Sequence, residues 1–347
     1  MKQFLKKWLG PIIILVTLAI VLIVGFVSGT LPEAVSAVVH ANTLCIGICI
    51  LLYFGYMAAD AAAITSFLKK QGYSIRKKDA LAATLTGVYY ANITPGATGG
   101  QPMQIHHLHK SGIPVGIGTS AVAVSFISWH IMRVVLMTVL GVPYWDFIVE
   151  NLGQYWPFLL LGYAYNILLT GLWVLFCFSR RPVVWLMKLV SKIATKLHLS
   201  KNPEKLTQGL ERTAERFHTS MKVVRGQKGE IAKQLLFGTL NVLCLTSILY
   251  FAYLGVGLRG ASYGQIVVMG LAQYTSAAYM PTPGAAGAQE GIFGLFFGKM
   301  MQGSKLLAVM MIWRFMSFYL GLILGAAGNL IHRKKEKTDS KSEGTRP

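Results

Sequence analysis

Acidic residues are scarce in this sequence. Of its 347 residues only 13 are Asp or Glu, against 33 Lys or Arg, and charged residues of both signs make up 13%, where a soluble globular chain carries about a quarter. That shortage excludes a separate soluble catalytic domain. Cysteine is sparse as well: Cys45, Cys49, Cys177 and Cys244 each lie inside an apolar stretch, where a thiol behaves as a small buried hydrophobe. No disulfide framework is implied, and Cys45 with Cys49 are too few ligands for a metal. A nucleotide-binding loop, a Rossmann glycine fingerprint and a metalloprotease helix motif are all missing, so neither an ATP-driven pump nor any cofactor is expected.

What fills the chain is apolar sequence, 54% of it, in runs long enough for the roughly 20 residues a helix needs to cross a bilayer. Full spans are read at about 11–27, 43–68, 113–142, 157–179, 232–257 and 304–331. The first run could pass for a signal peptide cut after Ser28, but its length and the spans that follow favour an uncleaved helix. Two further apolar regions, about 80–111 and 261–303, are broken by Gly and Pro near their middles.

The formal charge of +20 would suggest nucleic acid in a soluble protein. Here the cations sit between spans and read as topology, so no DNA partner is expected. Lys2, Lys6 and Lys7, then Lys69, Lys70, Arg76, Lys77 and Lys78, then Arg180 to Lys233, then Arg333, Lys334, Lys335 and Lys337 mark cytoplasmic segments. Segments 28–42 and 143–156 hold Glu33, Asp146 and Glu150 but no Lys or Arg and fit the outer face. Parity then requires region 80–111 to enter and leave from the cytoplasm and region 261–303 to enter and leave from outside. Both termini fall in the cytoplasm.

Two hairpins dipping from opposite sides are the product of an inverted-topology repeat, whose broken segments point to a substrate site near the midplane. Thr94-Pro95-Gly96-Ala97-Thr98-Gly99-Gly100-Gln101 aligns without gaps to Thr282-Pro283-Gly284-Ala285-Ala286-Gly287-Ala288-Gln289, and a long helix bearing an arginine, Arg133 or Arg314, follows each copy. The fold expected is an all-α polytopic membrane protein of about six full spans and two re-entrant helical hairpins. A first membrane half covers 1–179, a basic cytoplasmic linker 180–231, a second membrane half 232–331, and a disordered tail 332–347. Within the linker, Val183, Trp185, Leu186, Leu189, Val190 and Ile193 recur at near-helical spacing, as in an amphipathic interfacial helix.

A Thr-Pro-Gly step leaves backbone groups unpaired, which hydrocarbon tolerates only where protein buries them or they line a watery cavity. The half-helix after each break would aim amide donors into that cavity, a natural receptor for phosphate or carboxylate. The substrate-binding residues expected are Asn92, Thr94, Pro95, Gly96, Gly99, Gly100, Gln101 and Arg133 in the first half, and Thr282, Pro283, Gly284, Gly287, Gln289, Glu290 and Arg314 in the second. Intramembrane charges mark pathways or pairs; Asp60 is expected to pair with Arg133, and Glu290 with Arg314. Because Glu290 stands where the first copy has Pro102, proton or cation coupling is expected in the second half. His106, His107 and His109 read as solvated interfacial histidines, Gly321, Gly325 and Gly328 as a helix-packing stripe, and Tyr89 and Tyr90 as headgroup contacts or an aromatic belt.

The stretch Tyr89 to Met103, the later Pro281 to Gly291, and Arg314 resemble the flippase-like transmembrane region of lysylphosphatidylglycerol synthases, over about 5–331. In that family the full-length enzymes join this membrane region to a cytosolic aminoacyltransferase that charges phosphatidylglycerol with lysine from lysyl-tRNA, and the membrane half is thought to move the product outward. Here only a short polar tail follows Ile331, so a stand-alone form is expected. The resemblance implies a lipid flippase or translocase that moves a phospholipid or an aminoacylated or glycosylated lipid between the leaflets of a bacterial cell membrane, with no catalytic residues. Its partners would be anionic phospholipids or polyprenyl-linked lipids, with a separate lipid synthase and a second copy of the chain as further candidates. The alternatives are the lysyltransferase itself and a membrane scaffold for a separate synthase.

Overall fold

In the computed structural model, residues 29–179, 226–277 and 280–328 are described, with further positions at 19, 26, 27, 185, 212 and 215–222. Most of the expected span at 11–27, most of the linker at 180–231 and the tail at 332–347 lie outside the described residues.

The described chain is helical throughout, with no strand among the described residues. A short helix α1 (Leu31–Val39) leads into α2 (Thr43–Lys70), whose first turn is capped by Asn42: its side chain accepts from the amides of Leu44 and Cys45, satisfying donors that a helix start leaves orphaned. Then come α3 (Lys77–Ile93), α4 (Gly100–Lys110), α5 (Val115–Gly141), α6 (Trp145–Leu152), α7 (Trp156–Phe178), α8 (Lys228–Gly255), α9 (Tyr263–Ala277), α10 (Ala288–Phe297) and α11 (Gly303–Arg314). The last continues through a π-helical turn, Phe315–Tyr319, to residue 328. Five segments are long and apolar enough to cross a bilayer: Thr43–Lys70, Val115–Gly141, Trp145–Cys177, Lys228–Gly255 and Gly303–Gly328. These match the expected spans to within a few residues; in the third, α7 answers to the expected span at 157–179, and α6 precedes it across a break at Gly153 (φ 54°, ψ −126°). The chain is an all-α, multi-pass membrane fold.

Contacts at the ends of the bundle fix its directions. The Asn42 amide donates to the Gly255 carbonyl at 2.9 Å, while at the other end Ser66 donates to Glu230 at 3.1 Å, so α2 and α8 run antiparallel. Leu68, Leu108 and Ile113 share a buried cluster, which brings the start of α5 to the lysine-rich end beside Lys69, Lys70, Lys77, Lys78 and Lys110. At the far end Lys299 donates to the Glu150 carbonyl at 2.6 Å. The hairpin α3/α4 therefore starts and finishes at the lysine-rich end, and α9/α10 at the far end. At 1.5 Å per residue their arms are about 15 to 25 Å long, short of the roughly 30 Å hydrocarbon core. Neither hairpin has an arm as long as the bundle's long helices. The two hairpins meet tip to tip, where the Gly96 amide donates to the Pro281 carbonyl at 3.1 Å.

The larger apolar core, including Tyr53, Tyr253, Phe293, Phe297 and Trp313, sits around α9, α10 and the helices that enclose them. Outward-facing leucines such as Leu44, Leu51, Leu161 and Leu168 are 60% exposed or more, as lipid-facing residues of a membrane bundle are. Close approach of the first hairpin's arms demands glycine at position 100, where a Cβ would come within 2.9 Å of both the Ala91 Cβ and the Gly87 carbonyl.

Candidate functional site

The two breaks have the same local backbone. Thr94 and Thr282 are extended, Gly96 (φ 58°, ψ 24°) and Gly284 (φ 56°, ψ 22°) turn left-handed, and Ala97 (φ 57°) and Ala285 (φ 50°) stay there. A left-handed alanine costs about 1 to 2 kcal/mol, so both tips hold a strained residue that the surroundings must enforce. The copies part at the next position: Thr98 is helical (ψ −21°) whereas Ala286 is extended (ψ 140°), and Gly287 has φ 85°.

That divergence serves Glu290. Its Oε2 accepts from the Gly287 amide at 2.7 Å, capping α10, and its Oε1 accepts from Arg314 Nε at 2.6 Å. Arg314 also donates to the Gly284 carbonyl at 3.3 Å and stacks over Phe318 at 4.6 Å. Gln273 in turn donates to the Gln289 carbonyl at 3.2 Å and to its side chain. The expected Glu290–Arg314 pair is present, and it holds the second tip. Both carboxylate oxygens of Glu290 are thus engaged within the tip. Gly284 lies directly on the Phe318 ring.

Among the described residues the first tip has no such clamp. Thr94 Oγ1 donates to the Tyr90 carbonyl at 2.6 Å and accepts from the Gly99 amide at 2.9 Å, and Asn92 reaches the Phe318 carbonyl at 3.4 Å. Pro95, Gly96, Ala97 and Thr98 are exposed, and Gln101 is half-buried on the first turn of α4. At the second tip Thr282 donates to the Ala286 carbonyl at 2.9 Å and Pro283 is buried.

The expected pairing of Asp60 with Arg133 is not formed. Ser125 and Arg133 both lie on α5, eight residues apart, which separates them by about 12 Å along the axis, and Asp60 is engaged at Ser125. Arg133 instead donates to Asn166 of α7 at 2.7 Å, sits 3.0 Å from His130 Nδ1, and stacks over Trp129 at 4.8 Å. Among the described residues it has no carboxylate partner, and its Nε is buried without a hydrogen bond. The two arginines are also not equivalent. Arg133 follows Thr94 by 39 residues and Arg314 follows Thr282 by 32, a difference of two helical turns.

Between them lies Tyr274, within electrostatic range of both and edge-on to Trp313 at 5.8 Å. Ser317 Oγ and Trp313 Nε1 lie against its hydroxyl, and among the described residues none of these three buried atoms, nor Ser276 Oγ, makes a hydrogen bond of regular geometry. Buried polar atoms are normally paired, and this group surrounds the last turn of α9, just before the second break. Tyr274, Ser317 and Asn166 escape a reading of the sequence because neutral polar residues in an apolar run carry no signal until their neighbours are known.

His106 and His109 are exposed, His107 is partly buried 3.5 Å from Thr86, and no group of three metal-ligating side chains occurs among the described residues. Gly321 faces Tyr53 and Val88, and Gly325 faces Tyr89, so the glycine stripe packs α11 against α3. Two surface cavities lie at the bundle's ends. One of about 380 Å³ is lined by His40, Asn42 and Arg259, the other of about 540 Å³ by His109, Arg212 and Arg216, and neither is lined by a residue of the breaks.

No curated protein matches the chain. Residues 8–325 match the family described as the lysylphosphatidylglycerol synthase TM region. The match spans both interrupted hairpins and every helix described above except the last few residues of α11, and the chain belongs to that family of lipid-related integral membrane proteins.

Proposed function

We propose that this protein moves a phosphate-bearing lipid between the leaflets of a bacterial cell membrane. The observation that carries the reading is the junction itself: interrupted helices from opposite ends of the bundle meet tip to tip beside buried, unpartnered polar groups and an arginine with no counter-ion among the described residues. Arg133 would receive the phosphate. A guanidinium presents several donors in one plane, suited to two phosphate oxygens at once, and the nearby Trp313 and Ser317 donors extend the cradle. The exposed first tip, with Asn92, Thr94 and Gln101, would line the path from the lysine-rich end, while the acyl tails stay in lipid. In this reading the hairpin-bearing halves, 1–179 and 232–331, are the two gates and the basic segment 180–231 joins them on the cytoplasmic side, where both termini would lie.

The test is reconstitution of the purified protein in liposomes with fluorescent phosphatidylglycerol, lysyl-phosphatidylglycerol or a polyprenyl phosphate, following each lipid's accessibility to an external quencher. Protein-dependent translocation of at least one of them, reduced at least 10-fold by Arg133→Gln in a variant that still folds, is the expected result. Failure of all three to move faster than in empty liposomes overturns the reading. Formation of lysyl-lipid from lysyl-tRNA in the same vesicles would make the chain a transferase instead.

A further inference from the structure

Asp60 is an intramembrane carboxylate with no cationic partner among the described residues. It lies on α2, about 5 Å from the helix centre toward the lysine-rich end at 1.5 Å per residue. Three neutral side chains from three other helices converge on it: Ser125 of α5 at 2.5 Å from Oδ1, and Thr84 of α3 at 2.7 Å and Gln104 of α4 at 2.9 Å from Oδ2. Thr84, Ser125 and Gln104 are all buried. Among the described residues no Lys, Arg or His pairs with it. A charge at this depth in a bilayer costs a few kcal/mol, and neutral donors soften that penalty without removing the charge.

We infer that Asp60, Thr84, Gln104 and Ser125 form a binding site for a sodium ion that ties both arms of the first hairpin to α2 and α5. Each member offers an oxygen to a hard cation: two from the carboxylate, a hydroxyl from Thr84 and from Ser125, and the Gln104 amide oxygen after a flip of that side chain. Oxygen ligands suit alkali and alkaline-earth ions. One carboxylate balances one positive charge, so a monovalent ion leaves the site neutral where a divalent ion leaves an excess charge in the membrane. The hydroxyl protons have somewhere to go. Serines and threonines on these same helices donate to the carbonyl four residues back, as Thr65 does to Ala61 at 2.7 Å, Thr86 to Ala82 at 2.8 Å and Ser128 to Val124 at 2.7 Å. Thr84 and Ser125 have the same option with the carbonyls of residues 80 and 121.

Occupancy has a mechanical consequence. Thr84 and Gln104 sit on opposite arms of the hairpin and already bond Asp60, so the ion, replacing those hydrogen bonds with stronger contacts, holds α3 and α4 more firmly to the scaffold below a tip with no clamp among the described residues. Binding itself stands apart from lipid movement, so it can be tested whether or not the protein proves to translocate lipid.

The experiment is equilibrium binding of ²²Na⁺ to the detergent-purified chain at constant ionic strength. Alkylation of Thr98→Cys at the exposed tip is followed in parallel in Na⁺ and in choline. One saturable site per chain is expected, lost in Asp60→Asn and weakened at least 10-fold in Ser125→Ala and Thr84→Ala, with alkylation slowed at least 3-fold by Na⁺ only where Asp60 is intact. Absence of saturable binding by the unsubstituted protein, or unchanged binding in the folded Ser125→Ala and Thr84→Ala variants, overturns the inference even if Asp60→Asn fails to fold.

Discussion

The two helix breaks share a backbone and differ in everything that holds it. From Thr94 to Ala97 and from Thr282 to Ala285 the chain repeats nearly the same angles, including a left-handed alanine. Yet the second tip is bound by a buried ion pair, a glutamate cap and a buried proline, while the first is exposed and held by one threonine, one asparagine and its contact with the second. A tandem copy thus fixes a shape, and the residues around it decide whether that shape is rigid. Opposing hairpins of unequal rigidity suit a device in which one gate moves against a fixed one.

The sharpest way to break the comparison is to exchange the arginines' fates. Arg314→Ala leaves Glu290 buried without its partner, an arrangement that costs about 3 to 5 kcal/mol. Arg133→Ala removes no ion pair among the described residues and should cost well under half as much while abolishing translocation; thermal unfolding in detergent beside the liposome assay separates the two. Equal destabilisation would mean that the halves are clamped alike.

Next come the glycines. In Gly284→Ala a Cβ collides with the Phe318 ring at a left-handed position, so strain of about 1 to 2 kcal/mol adds to overpacking of about 1 to 3 kcal/mol. For Gly96→Ala the nearest atom is 3.9 Å away, which leaves only the backbone strain. A smaller effect is expected for Thr94→Val, which removes the acceptor for the Gly99 amide and should cost about 1 kcal/mol, read as faster hydrogen exchange confined to the start of α4. The smallest belongs to Arg76→Ala. Its pair with Asp79, at 2.6 Å, is solvent-exposed, and surface pairs contribute little, so no measurable change in Tm is expected.

Much of this architecture was legible in the sequence because the bilayer imposes a length scale and glycine and proline punctuate it. Span limits at Thr43–Lys70 and Val115–Gly141, the two interruptions and their opposite polarity all follow from hydropathy, lysine placement and parity. The partners of the charges follow only in part. Glu290 and Arg314 pair as expected, on a backbone that departs from the first copy at Ala286, one of the two positions at which the eight-residue motifs differ. Asp60 and Arg133 were matched by opposite sign alone, but α5 presents Ser125, not Arg133, to Asp60. Side-chain facing within an apolar run leaves no mark on composition, and Gln104, Asn166 and Tyr274 stayed hidden for that reason.

The π-helical turn at Phe315–Tyr319 sets a phase. One extra residue in an α-helix rotates everything beyond it by about 100°. On its N-terminal side Arg314 must point at the second tip; on its C-terminal side Gly321 and Gly325 must point at α3. Removing a single residue from the turn would restore a regular helix in which these two faces no longer agree, so either the clamp or the glycine seam would lose its register. The bulge is the gearing by which one helix serves both hairpins at once.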